Sequence, residues 1–175
     1  MPLLISFSGL PGVGKTTIAK ALSRQISATY LRVDVVESAL RESMLNVDKP
    51  QDAGYRAICG IAESNLKLGH SVIADTVNPV PDSRRLWADA ASASQARLIN
   101  IEIICSDLEE HKSRVETRPA DIDGHPLPSW ARVQSREYHP WTSVDVRLDS
   151  SVLSVEESVA RILAYIGRIQ QSEAV

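Results

Sequence analysis

The 175-residue sequence predicts an α/β fold: a parallel sheet covered by helices on both faces. Three observations predict it. Residues 9–16 read Gly-Leu-Pro-Gly-Val-Gly-Lys-Thr, a full G-x-x-x-x-G-K-[ST] pattern that joins an apolar, strand-like run to a helical one. Strand-like and helix-like segments then alternate along the chain. The second and third strands each end in an acid, Asp34 and Asp75. Right-handed crossovers bring both acids to the sheet edge that carries the glycine loop.

The elements follow in order. Leu3 to Ser8 is the first strand, and Thr17 to Leu22 has helical spacing, with Ile18, Ala21 and Leu22 on one face. Thr29 to Asp34 is a short strand, Val35 to Leu45 a helix, and Asn46 to Pro50 a polar break. Asp52 to Leu68 is helical, with Gly69 at its C-terminus, and Ser71 to Asp75 is the third strand. Asn78 to Pro81 is a loop, Asp82 to about Ala96 a helix, and Leu98 to Cys105 the fourth strand. Ser106 with Glu109 forms a capping box for the fifth helix. The stretch from Arg118 to Ser129 holds three prolines and one glycine without apolar periodicity, so it is a loop. Arg132 to Glu137 is a short helix and Val144 to Asp149 the last strand. Ser154 with Glu157 caps a terminal helix to about Ile169, followed by a frayed tail over Gln170 to Val175. No repeat or linker divides residues 1–175, which are expected to form one domain.

The glycine loop is the most specific chemical signal. Gly9, Leu10, Pro11, Gly12, Val13 and Gly14 let backbone N–H groups curl round phosphate oxygens, and the following helix N-terminus adds partial positive charge. Lys15 is placed to reach the β- and γ-phosphates and Thr16 to coordinate Mg²⁺, with Thr17 continuing the loop into the helix. ATP and Mg²⁺ are the expected cofactors. Asp75 follows three apolar residues, the pattern of a Walker-B-type acid beside Mg²⁺; acceptor binding or a structural hydrogen bond are its other readings. Asn78, three residues on, is an acceptor-binding candidate.

Bulk composition narrows the class. Hydrophobic residues make 43% and charged residues 23% of the chain, as in ordinary soluble domains. A net charge of −3 argues against a general nucleic-acid binder. No basic leader or membrane-length apolar run is present, and Cys59 and Cys105 fall in segments that are expected to be buried and reduced. A cytoplasmic protein is expected. The four histidines lack ligand spacing, so no zinc site is predicted. The aromatics Tyr55, Trp130, Tyr138 and Trp141 read first as packing residues, with covering of an aromatic ligand as the alternative.

The chain resembles the P-loop kinases of small molecules and nucleotides, a superfamily that includes shikimate, gluconate and adenylylsulfate kinases, chloramphenicol phosphotransferase, zeta toxins and polynucleotide kinase. The resemblance rests on Gly9 to Thr17, Val33-Asp34, Val72 to Asp75, Arg114, Arg118 and the closing strand and helix, and so spans nearly the whole chain. A further stretch, Arg118 to Asp121 through Arg136-Glu137-Tyr138-His139-Pro140-Trp141, is similar to an uncharacterised bacterial branch. The resemblance implies the three-layer sandwich of P-loop NTPases, with strand order 2-3-1-4-5 and a short lid over about residues 118–129. It also implies that Asp34 contacts the acceptor hydroxyl and favours its deprotonation; the rival reading is a helix N-cap.

Arg114 and Arg118, four apart, are expected on one helix face, where related kinases clamp ATP and the transferred phosphate; solvated pairing with Glu110 is the bland alternative. Arg41 returns to the face of Asp34 two turns on, and Arg84 and Arg85 open a later helix. Together they are read as a basic wall for an anionic acceptor. The leading expectation is an ATP- and Mg²⁺-dependent phosphotransferase acting on a hydroxyl of a small molecule. A polynucleotide 5′-hydroxyl or nucleotide kinase is the first rival, and an ATP-binding regulator or toxin-like protein without phosphotransfer the second. Acceptor identity and oligomeric state are not legible in the sequence.

Overall fold

The computed structural model describes residues 1–44, 47, 49–123 and 125–172. Strand β1 (Leu3–Ser8) leads through the glycine loop into α1 (Lys15–Ser23), and β2 (Ala28–Arg32) runs directly into α2 (Val33–Glu42). Then come α3 (Ala53–Lys67), β3 (Ser71–Asp75), α4 (Pro81–Ala93) and β4 (Arg97–Ile104). The chain continues through α5 (Leu108–Thr117), α6 (Trp130–Gln134), β5 (Val146–Asp149) and α7 (Val155–Ser172).

The five strands form one parallel sheet in the order β2-β3-β1-β4-β5, the P-loop NTPase arrangement that the resemblance implied. The sheet separates two apolar cores. Alternation along β1 sends Leu3, Ile5 and Phe7 to one face, where α1 and α7 contribute Ile18, Leu22, Val159 and Ile162. Leu4 faces the other side with Ile58, Leu66 and Trp87 of α3 and α4. Because β1 is covered on both faces it is buried along its whole length, which is why it reads as a continuous apolar run. Among the described residues, no helix is long and apolar enough to cross a membrane. Cys59 and Cys105 are buried free thiols.

Several local expectations need correction. Asp34 does not end a strand or cap a helix; β2 stops at Arg32, and Asp34 lies in the first turn of α2. The cap of α5 is Asp107, whose carboxylate accepts from the backbone N–H groups of Glu109 and Glu110, in place of Ser106. Helix α6 starts two residues early, at Trp130, because Ser129 caps it through the Arg132 N–H. Strand β5 starts late, since the Asp145 carboxylate turns to accept from the Asn100 N–H and the Tyr165 hydroxyl. The reciprocal Ser154–Glu157 box is present. Of the expected polar break and tail, Asn46, Asp48 and residues 173–175 lie outside the described residues, as do Leu45 and Gly124.

Candidate active site

The glycine loop sits at the carboxyl end of β1, and its shape follows from close approach. Gly9 has φ 134°, and a Cβ there would stand 2.2 Å from the Ile103 carbonyl oxygen. Gly12 has φ 89°, with Val115 only 2.4 Å from the place of a Cβ. Only glycine fits either position. Gly14 is the N-cap of α1, so Lys15 begins the helix. The Lys15 ammonium curls back to donate to the Leu10 carbonyl at 2.9 Å. Burial pushes its pKa down to about 8, against the pull of Asp75 and Asp34. The loop is braced from behind: His111, buried, donates from Nε2 to the Pro11 carbonyl at 2.8 Å and stacks edge-on against Trp130.

Beside the loop, Arg32 gathers three carboxylates. Strand register sets Arg32 opposite Asp75, with Nε 3.8 Å from Asp75 Oδ2. Its other nitrogens reach Asp34 Oδ2 at 3.1 Å and Asp121 Oδ2 at 2.6 Å. Burial works to strip the guanidinium of its proton, but the three acids outweigh it and raise the pKa. Asp75 is 3% exposed and also accepts from the Tyr30 hydroxyl at 2.7 Å. Among the described residues, the bonds of Asp34 use Oδ2, and Oδ1 has no protein partner.

The segment 118–129 lies across this edge. Asp121 also reaches Lys20 on α1 at 3.3 Å, and Ser38 of α2 donates to the Asp123 carbonyl. Arg41 donates to His125 Nδ1 at 3.4 Å and pairs with Glu37 one turn back. Burial, then the nearby Asp34 charge, raises the Glu37 pKa. Arg114 and Arg118 do not share a face as their spacing predicts. Helix α5 ends at Thr117 and Arg118 adopts extended backbone. Arg114 instead holds the turn after β5, donating to Ser150 Oγ at 2.8 Å and pairing with Glu110. Arg118 Nε is buried without a hydrogen-bond partner.

These groups line one cleft of about 1020 Å³. Its lining includes Arg114 with Ser150, Lys15, Thr16 and Asp75, and Asp34, Arg41 and Arg136. Thr16 and Asp75 can hold a divalent cation. Among the described residues no group of three His, Cys, Asp or Glu forms a ready-made metal cage.

Two predicted acceptor residues lie elsewhere. Asn78 is fully buried: Nδ2 donates to Ser6 Oγ, the Phe7 carbonyl and Ser8 Oγ, while Oδ1 accepts from the Trp87 indole. It knits the loop after β3 to β1. Arg84 turns outward over the Trp141 ring, 4.1 Å from its centroid, and donates to the Asn78 and His139 carbonyls. Arg85 pairs on the surface with Asp82. The basic wall therefore keeps Arg41 and gains Arg132 and Arg136. Sequence reasoning passed over Arg32, Glu37, His125 and Arg136; adjacency to Asp34 was the signal available for Arg32.

The profile of the family described as the AAA domain matches residues 4–138. The chain belongs to the AAA-domain family. Its relatives sharpen the reading. An adenylyl-sulfate kinase of Bacillus pumilus is 25% identical over 171 residues, covering 93% of this chain and 84% of the relative. One from Geotalea uraniireducens is 28% identical over 175 residues, covering 95% and 81%. In fold, the gluconokinase of Sinorhizobium meliloti superposes with a TM-score of 0.68 at 17% identity, covering 99% of this chain and 96% of the other. The Mycobacterium tuberculosis APS kinase CysC in complex with AMPPNP and APS gives 0.70 at 17% identity, covering 95% and 98%. This AAA-domain protein is a P-loop kinase, as the resemblance implied.

Proposed function

We propose that this kinase transfers the γ-phosphate of ATP, in the presence of Mg²⁺, to a hydroxyl of a small-molecule acceptor in the cytoplasm. The observation that carries the reading is the Asp34 carboxylate, with Oδ2 held by Arg32 and Oδ1 free, in the same cleft as Lys15. The glycine loop and Lys15 hold the β- and γ-phosphates. Thr16 and Asp75 hold Mg²⁺, which when bound neutralises phosphate charge. Arg114 lies at the nucleotide end, and Arg118 meets the transferred group. The acceptor oxygen forms a bond to the γ-phosphorus as the bond to the β,γ-bridging oxygen breaks; ADP leaves, and Asp34 takes the hydroxyl proton. The segment 118–129 acts as a lid that keeps water from the phosphate, and residues 1–175 work as one domain.

The test is ATP-dependent ADP release across hydroxyl-bearing metabolites, nucleosides, antibiotics and 5′-hydroxyl oligonucleotides, with Lys15→Ala and Asp34→Asn beside the wild type. A small-molecule acceptor whose turnover is lost in both variants is the expected result. An oligonucleotide acceptor overturns the small-molecule reading.

A further inference from the structure

We propose that His111 is a positioning residue for the phosphate loop: its ring N–H holds the Pro11 carbonyl behind the loop, which turns the Gly12 N–H toward the ATP phosphates. The inference rests on the reading that the glycine loop holds those phosphates, and it adds the side chain that orients one of the loop's donors.

Leu10 to Val13 form a tight turn, in which the Val13 N–H donates to the Leu10 carbonyl at 3.5 Å. The ring of Pro11 fixes a φ that suits the second position of both common turn types. Those types differ in the orientation of the central peptide, here Pro11–Gly12. Gly12 has φ 89°, the type II arrangement. Glycine permits both types, so a contact from outside the turn can decide between them.

His111 supplies that contact. It projects from α5, is 4% exposed, and places Nε2 2.8 Å from the Pro11 oxygen. A carbonyl oxygen only accepts, so Nε2 carries the proton. Gly12 packs on the same ring, since a Cβ there would lie 3.3 Å from His111 Cδ2. The ring is held in turn by Trp130, at the start of α6, which meets it edge-on with 5.0 Å between centroids.

Peptide geometry carries this contact through to the cleft. The Pro11–Gly12 bond is trans, so its N–H points opposite to its C=O. Pro11 and Gly12 line the cleft, whereas His111 and Val115 lie outside its lining. With the carbonyl fixed toward α5, the Gly12 N–H is directed to the cleft side. Among the described residues that N–H has no acceptor. A flipped peptide would remove this donor and aim the partial negative charge of the carbonyl oxygen at the phosphates.

The test uses the full chain labelled with carbonyl-¹³C proline and ¹⁵N glycine. Pro11–Gly12 is the single Pro-Gly pair of the sequence, so one amide signal reports Gly12 alone. That signal is followed by NMR as adenylyl imidodiphosphate, a non-hydrolysable ATP analogue, is added with Mg²⁺, and calorimetry measures the affinity. In the wild type the Gly12 amide proton is expected to move downfield as it bonds to a phosphate oxygen. His111→Phe keeps a ring against Trp130 and removes the donor; the downfield shift should vanish and affinity fall about tenfold or more. His111→Gln returns a donor without the ring, and should restore the shift and bring affinity to within about threefold of the wild type. A wild-type Gly12 amide that stays in place while the analogue binds overturns the inference, and this arm needs no folded variant. His111→Phe matching the wild type, or His111→Gln matching His111→Phe, overturns it as well. Each of these outcomes leaves the phosphotransferase reading intact. An analogue that fails to bind the wild type removes that reading and this inference together.

Discussion

Asp121, in the loop after α5, places Oδ2 2.6 Å from Arg32 Nη1 at the end of β2, although 89 residues separate them. The contact ties the segment 118–129 to the arginine that also holds Asp34 and Asp75. Asp121 is 44% exposed, so Asp121→Asn is expected to cost less than about 1 kcal/mol of stability. Arg32→Gln leaves Asp34 and Asp75 crowded without their cation and is expected to cost about 2 kcal/mol or more. Urea denaturation of the two variants checks the order. Limited proteolysis within 118–129 should speed up in both.

Lys15 provides a pH signature. Its pKa of about 8 in the free protein lies below the ordinary 10.5, so between those values the unfolded chain binds more protons and stability rises with pH. ATP phosphates restore the charged form, so nucleotide binding should take up a proton in that window. ATP affinity is expected to fall by up to about tenfold per pH unit above pH 8. Titration calorimetry in buffers of different ionisation enthalpy measures the uptake; constant affinity from pH 7 to 10 would count against a buried, charge-depleted lysine.

Asp34→Asn keeps the shape of the carboxylate and removes its basicity. The turnover number is expected to drop about 10²-fold or more with ATP affinity within about twofold. Steady-state kinetics with the acceptor found by the panel checks both values. Full turnover in Asp34→Asn removes the base assignment.

Asn78→Ala tests the corrected role of this residue. The substitution strips partners from Ser6, Ser8 and the Trp87 indole in a fully buried setting. A loss of about 2–4 kcal/mol is expected from these unsatisfied groups. Asn78 also sits at φ 47°, a conformation that alanine adopts less readily. Chemical denaturation measures the loss, and the acceptor KM of the folded fraction should stay unchanged. A stable variant with a raised KM would restore Asn78 to the substrate site.

Much of this protein was determined by sequence alone. The glycine loop is local: its phosphate-binding shape depends on glycines at fixed offsets and on the strand and helix beside it, so Gly9 to Thr17 were legible together with the parallel sheet. The acids Asp34 and Asp75 were legible as neighbours because topology carries the carboxyl ends of β2 and β3, and the residues just past them, to one edge. Side-chain direction was decided only by tertiary structure. Arg114 and Arg118 share a helical spacing, but α5 stops between them, and a residue in extended backbone no longer follows the helix face. Asn78 and Arg84 had the right chemistry and position for the acceptor, yet their bonds run to Trp87 and Trp141, partners set by packing. Arg32 gained its place the same way, through contacts with segments far apart in the chain. Local rules fix backbone shape within a few residues, whereas a long flexible side chain is aimed by the charges and rings that folding brings to it.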